Sequence, residues 1–351
     1  MREPTYTSTP WQESYSEIID VRSPAEYAED RIPGAISLPV LYNHERATVG
    51  RIYKQVSPFE ARKLGAILVT ANISRHLQSH FLSKNKDYSP LIYCWRGGQR
   101  SHSLALILNQ IGWNVTIITG GYKTYRNYVR EQLTHLPLKF TYKILCGLTG
   151  TGKTAILQRL AERDFQVLDL EALANHRGSL LGQEWEVEPE PQPSQKYFES
   201  KLLQMLQDFD FNQLVWVESE SNKIGQVYLP SALWEMMKQA SCVEIKVPLG
   251  IRRDWLLEKY SHLVENPDFL KSKLIKLKSR YGSQRIQYWK DLINSQEWHS
   301  LVEDLLAIHY DPGYHRSLSR SYYPRLAKTV EVADLSAKNI DKILLALLAE
   351  I

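Results

Sequence analysis

Residues 140–154 read FTYKILCGLTGTGKT, and this stretch decides the fold. Phe140 to Cys146 is a run of apolar, β-branched and aromatic residues that predicts a strand. Gly147 to Thr154 matches GxxxxGK[ST] in full, and TAILQRLAER behind it has helical apolar spacing. Strand, glycine-rich loop and helix, in that order, let backbone N–H groups wrap a diphosphate at a helix N-terminus. We assign Gly147, Thr149, Gly150, Thr151, Gly152, Lys153 and Thr154 to diphosphate binding. The glycines permit close backbone approach, Lys153 supplies a point charge, and the Thr154 hydroxyl is a ligand for Mg²⁺. The motif does not say that the diphosphate belongs to ATP, or that it is hydrolysed.

Downstream, the strand FQVLDL, a polar tract rich in Glu, Pro and Gln from Gly182 to Gln195, and the strand NQLVWVESES continue an α/β order. A metal at the loop would need an acidic residue at a strand end. Asp169, Glu218 and Glu220 are the candidates, the last two preferred; a helix cap for Asp169 and solvated charge for the others stay open. His176 and Arg177 in ANHRGS either meet phosphate or lie on the surface. From Ser231 onward helical patterns dominate apart from VEIKVPL.

Upstream, the apolar runs SEIIDVR, AISLPV, SPLIYC and NVTIITG alternate with helix-like segments, Pro58 to Leu82 and Ser101 to Ile111 among them. This is a second α/β unit. With 351 residues the chain suits two domains, and we draw them as 1–136 and 137–351, the second carrying a helical C-terminal region. The hydrophobic share of 43% is ample for packed cores, and charged residues at 23% with mixed signs exclude a disordered, self-repelling chain. A net charge of +4 permits a polyanionic partner without proving one. Three cysteines suit neither a disulfide framework nor a CxxC metal site. Neither a signal-like leader nor a membrane-spanning stretch is read, so a reducing, cytoplasmic setting is expected.

One of those cysteines stands where strand, loop and helix meet, in Cys94-Trp-Arg-Gly-Gly-Gln-Arg-Ser101. A thiol at a helix N-terminus faces the dipole's positive end and free amides, which lowers its pKa. Arg96 and Arg100 add charge, Gly97 and Gly98 let the amides turn inward, and Gln99 and Ser101 complete an anion cradle. Cys94 is therefore the candidate nucleophile. Asp20 and Arg22 are read as a structural ion pair.

Together with IIDVRSPAEYAEDRIPGAISLP at 18–39, this loop resembles the rhodanese family over residues 12–130. Five residues separate Cys94 from Arg100, a longer loop than sulfurtransferases of that fold usually show and the C-x5-R length of the related dual-specificity phosphatases. Those phosphatases usually carry His before the cysteine, where this chain has Tyr93. A tetrahedral oxyanion such as phosphate or selenophosphate would fit a loop of that size.

Residues 271–290, KSKLIKLKSRYGSQRIQYWK, and 310–325, YDPGYHRSLSRSYYPR, interleave cations with aromatics. Lys276, Lys278, Arg280, Arg285, Arg316 and Arg320 are candidates for RNA phosphates, with Tyr281, Tyr288 and Trp289 as stacking faces; a solvated helix face with core aromatics is the alternative.

The fusion of CWRGGQRS with GLTGTGKT, plus HERATVGRIYKQVSPFEARKLGA, ANHRGS and VESESNKIG, resembles the tRNA 2-selenouridine synthase family over nearly the whole chain. The resemblance implies exchange of sulfur for selenium at the wobble 2-thiouridine of the tRNA anticodon loop, with selenophosphate as donor, and geranylation of the thiouridine from geranyl diphosphate. It implies these co-substrates rather than a tightly bound cofactor, a possible selenophosphate supplier as partner, and Mg²⁺ only as a candidate ion. A thiosulfate sulfurtransferase or phosphatase fused to a P-loop ATPase or kinase is the competing reading.

Overall fold

The computed structural model describes residues 3–176 and 191–348. The chain divides into two compact units, Met1–Gln132 with Ser194–Gln204, and Leu133–Pro193 with Met205–Ile351.

In the first unit the elements run β1 (Thr5–Thr7), β2 (Glu17–Asp20), α1 (Pro24–Glu29), β3 (Ile36–Ser37), α2 (Asn43–Gln55), α3 (Pro58–Ser79), β4 (Pro90–Tyr93), α4 (Gln99–Ile111), β5 (Thr116–Ile118) and α5 (Tyr122–His135). The strands form one parallel sheet in the order β1-β5-β4-β2-β3. A parallel sheet is covered on both faces, so its central strands read as continuous apolar runs; all four residues of β4 are buried. Ile19, Ile92, Leu104, Leu108 and Ile117 share one core. Because α4 starts five residues beyond Cys94, and Cys94 directly follows the central strand, the thiol falls at the sheet's carboxyl edge, where open α/β folds carry their sites. Helices α2 and α3 pack on each other, and α2 buries none of its own residues.

The second unit runs β6 (Thr141–Cys146), α6 (Lys153–Ala161), β7 (Gln166–Leu168), α7 (Leu170–Ala174), β8 (Leu214–Glu218), β9 (Lys223–Ile224), β10 (Val227–Tyr228), α9 (Ser231–Gln239) and β11 (Ser241–Lys246), while α8 (Gln195–Gln207), which lies between α7 and β8 in the chain, belongs for most of its length to the first unit. The second unit continues through α10 (Leu249–Lys259), α11 (Ser261–Glu265), α12 (Pro267–Ile275), α13 (Lys278–Asn294), α14 (Trp298–Leu305), α15 (Asp311–Ser321), β12 (Leu326–Glu331) and α16 (Ala337–Leu348). Its main sheet is also parallel, ordered β12-β11-β6-β8-β7. The expected strands at FTYKILC, FQVLDL, LVWVE and VEIKV are all present. Strand β12 corrects the reading of an otherwise helical C-terminal third: LAKTVE is an edge strand with no fully buried residue, so its apolar alternation is weak. Helices α11 to α14 enclose a separate core around Leu263, Leu274, Ile286, Trp289 and Leu305.

Helix α8 does not stand out from the polar tract before it, yet Phe198, Leu202, Leu203 and Leu206 recur at helical spacing and are buried. Its first residues serve the first unit: Ser200 donates to Asp30 at 2.9 Å, Tyr197 accepts from Arg31 at 2.7 Å, and Arg126 pairs with Glu199.

Candidate active site

Cys94 is only 3% exposed and sits at the floor of its loop. The Gly98 amide and the Ser101 hydroxyl each donate to Sγ at 3.3 Å. Burial alone would push the thiol pKa up, but Ser101, through its hydroxyl and its amide, the Arg96 amide and the Arg100 charge outweigh it, and the thiol titrates below its ordinary value. The loop is closed from behind by residues that no local motif marks. Tyr122 donates its amide to the Cys94 carbonyl at 2.8 Å, and a Cβ on Gly121, which has φ +61°, would lie 2.2 Å from that oxygen. Gly97 is as tightly placed: at φ +63°, a Cβ would meet the Ile118 carbonyl at 2.5 Å. The Gly-Gly pair directly after the β5 run is the sequence signal for this closure.

Of the two loop arginines, Arg96 is exposed, whereas Arg100 is held by Glu26 at 2.9 and 3.3 Å. Glu26 also meets Arg46 from α2 at 3.0 Å. Burial would raise the Glu26 carboxyl, but Arg100, the Ser23 amide and Arg46 hold it below the usual carboxylate range. Glu26 and Arg46 are not among the residues the sequence singles out; they add a carboxylate and a cation beside the loop's mouth. The Asp20–Arg22 pair is structural as expected: both side chains are buried, Nη2 of Arg22 lies 2.6 Å from Asp20, and its guanidinium stacks 4.1 Å from the Tyr122 ring.

At the second loop, Gly147, Gly150 and Gly152 take φ of +157°, +83° and +75°, which turns the backbone around an open concavity ahead of α6. Lys153 is 6% exposed; its ammonium donates to the Gly147 and Leu148 carbonyls at 3.0 and 3.3 Å and pairs with Glu218 at 3.3 Å. Thr151 donates to Leu148 at 2.9 Å, and Arg252 braces the Thr149 carbonyl at 3.0 Å while pairing with Asp311. Thr154 donates towards Glu218 and Glu171 at 3.3 and 3.4 Å.

Glu171, Glu218 and Glu220 bring carboxylate oxygens within 4.8 Å of one another. Burial first, then the charges of Glu218 and Glu220, push the Glu171 pKa up to about 10, and burial with Glu218 pushes Glu220 up to about 7. Three carboxylates beside the Thr154 hydroxyl form a hard-oxygen donor set that suits Mg²⁺. Asp169 takes the alternative role: its carboxylate accepts the Ala172 amide at 2.9 Å as the cap of α7. Glu171, two residues further, fills the place considered for Asp169; the helix turn after β7 is the signal that points to it. Arg177 lies outside the described residues; His176 lies just beyond the cap of α7, half-buried.

Both parts of the chain are similar to known proteins. Residues 140–334 match the tRNA 2-selenouridine synthase AAA domain, and residues 8–128 match the rhodanese-like domain. The tRNA 2-selenouridine synthase of a Sulfurovum species is 32% identical over 87% of this chain and 89% of its own. That of Bdellovibrio bacteriovorus is 31% identical over 89% and 91%, and that of Shewanella frigidimarina 32% over 86% and 88%. The chain belongs to the tRNA 2-selenouridine synthase family.

In this family member the basic clusters divide. Lys276, Lys278, Arg280, Arg316 and Arg320 are exposed. Arg285 instead pairs with Asp304 at 3.0 Å. Trp289 is fully buried and donates to the same carboxylate at 2.6 Å, so it is a core residue and not a stacking face. Tyr288 is 44% exposed, whereas Tyr281 is half-buried and bonded to His309 at 3.0 Å. Gly282, at φ +76°, breaks α13 between Arg280 and Arg285. Tyr314, a member of the second cluster, stands beside the second loop, its ring 5.5 Å from the Lys153 ammonium.

Proposed function

We propose that this protein is a tRNA-modifying transferase that replaces sulfur by selenium in wobble 2-thiouridine, drawing on selenophosphate and passing through an S-geranyl intermediate made from geranyl diphosphate. The reading is supported first by the Cys94 sulfur, which receives an amide and a hydroxyl at the start of α4 and so is held ready as a thiolate. Arg96, Gly97, Gly98, Gln99, Arg100 and Ser101 surround the place a selenophosphate oxyanion would occupy. Cys94 acts in the selenium step on this reading.

A thiocarbonyl sulfur leaves poorly, whereas an alkylated sulfur departs as a thiol. Prenylation first, with the thiouridine sulfur displacing diphosphate from the allylic carbon, therefore prepares the carbon for selenium. The loop Gly147–Thr154 holds the diphosphate, Lys153 offsets its charge, and Thr154 with Glu171, Glu218 and Glu220 would hold Mg²⁺, which when bound would neutralise charge on the departing diphosphate. Exposed Lys276, Lys278, Arg280, Arg316 and Arg320 meet tRNA phosphates.

The test is to incubate purified protein with 2-thiouridine tRNA, geranyl diphosphate and selenophosphate and to analyse the nucleosides by mass spectrometry. Selenouridine and S-geranyl thiouridine are expected. Turnover of thiosulfate, aryl phosphate or ATP without tRNA, and no modified nucleoside, would overturn the reading in favour of a sulfurtransferase or phosphatase joined to an ATPase.

A further inference from the structure

Next to the diphosphate loop, α10, α11, α12 and α14 enclose a narrow cavity, open at its mouth. Its walls are almost wholly hydrocarbon, led by Leu257, Val264, Leu270, Leu301, Val302 and Leu305. The polar cleft that contains Lys153, Thr154, Glu171 and Glu218 is a separate concavity, but Thr149, Leu256 and Tyr260 line both. One end of the combined site is built for phosphate oxygens and the other for alkyl chain. We infer that this cavity is the site for the hydrocarbon tail of an allylic diphosphate whose head lies on Gly147–Thr154, and that Val264 and Val302 help set the length of chain admitted.

The chemistry argues against a nucleotide in the same place. A purine presents hydrogen-bonding edges and a ribose presents hydroxyls, and burying these against leucine and valine would leave them without partners, at a cost that an isoprenoid chain avoids. Arg252, salt-bridged to Asp311 at 2.8 Å and bonded to the Thr149 carbonyl, fixes the residue at which cleft and cavity join, so the junction is held rigid from the polar side.

This inference rests on the prenyl transfer proposed above, and the two fail separately. Binding to the full chain is measured for inorganic diphosphate and for the non-transferable thiolo analogues of dimethylallyl, geranyl and farnesyl diphosphate, with wild type, Val264→Trp and Val302→Trp. Both valines are half-buried and line the cavity. Wild type should bind the geranyl analogue at least about tenfold tighter than the dimethylallyl one, because the added carbons leave water for hydrocarbon. Each tryptophan variant should lose at least about tenfold for geranyl while inorganic diphosphate changes less than about twofold. A wild type that binds geranyl no tighter than inorganic diphosphate sinks the prenyl reading itself. Tight geranyl binding that neither variant alters places the tail elsewhere and overturns only the inference. Should a variant lose inorganic diphosphate as well, and so report misfolding, a diazirine-tailed diphosphate on wild type decides. Crosslinks in α10 to α14 are expected, and crosslinks confined to other segments contradict the site.

Discussion

Ser101 is the residue on which the reactivity of Cys94 turns. It is fully buried at the start of α4, and its hydroxyl and amide head the contributions that hold the thiol below its ordinary pKa against burial. The thiolate therefore persists at a pH where an ordinary cysteine is protonated, and alkylation by iodoacetamide should plateau below the usual thiol midpoint. Ser101→Ala should move that midpoint upward; an unchanged profile would remove Ser101 from the account. The acidic cluster titrates in the opposite sense. Because Glu171 and Glu220 are raised to about 10 and about 7, they bind protons in the folded protein that the unfolded chain has already released. Their contribution to stability is thus intact below the ordinary carboxylate pKa and is lost as pH rises through those values. Thermal melts of the metal-free protein should fall with rising pH, the fall should be smaller in Glu171→Gln, and Mg²⁺ should restore more stability at high pH than at low. A melt that ignores both pH and Mg²⁺ would remove the cation site.

At the scale of elements, the two loops are legible because each is a local pattern: strand, glycine turn and helix follow one another within about twenty residues of sequence. What sequence does not show is what the fold brings from afar. Gly121 lies well beyond Cys94 in the chain and still presses its backbone against the loop, since β5 runs beside β4 in the sheet. Gly121→Ala would place a methyl 2.2 Å from the Cys94 carbonyl at a left-handed φ, and should destabilise the first unit by about 1–3 kcal/mol while lowering Cys94 reactivity. A variant with wild-type melting and alkylation would show that the loop tolerates displacement. Strand β12 and the start of α8 escape a sequence reading for related reasons. The first is a half-exposed edge, and the second is an amphipathic helix preceded by a Glu- and Pro-rich tract that reads as loop. Trp289 misleads because a basic helix with one apolar stripe looks, residue by residue, like an RNA face.

At the scale of the whole molecule, a modest net charge of +4 conceals local concentration, with Lys276, Lys278, Arg280, Arg316 and Arg320 exposed in the helical region of the second unit. If these meet tRNA phosphates, the double variant Arg316→Glu, Arg320→Glu should weaken tRNA binding and flatten its salt dependence by about 0.7–0.9 in log–log slope for each phosphate that is no longer neutralised. Unaltered binding across a salt series would move the tRNA elsewhere on the molecule. The central claim is that selenium exchange passes through Cys94 and prenylation through the diphosphate loop. It is tested most directly by nucleoside mass spectrometry of 2-thiouridine tRNA incubated with geranyl diphosphate, selenophosphate and either wild type, Cys94→Ala or Lys153→Ala. The account predicts selenouridine from wild type, S-geranyl thiouridine without selenouridine from Cys94→Ala, and loss of both products in Lys153→Ala. Undiminished selenouridine from Cys94→Ala would contradict it.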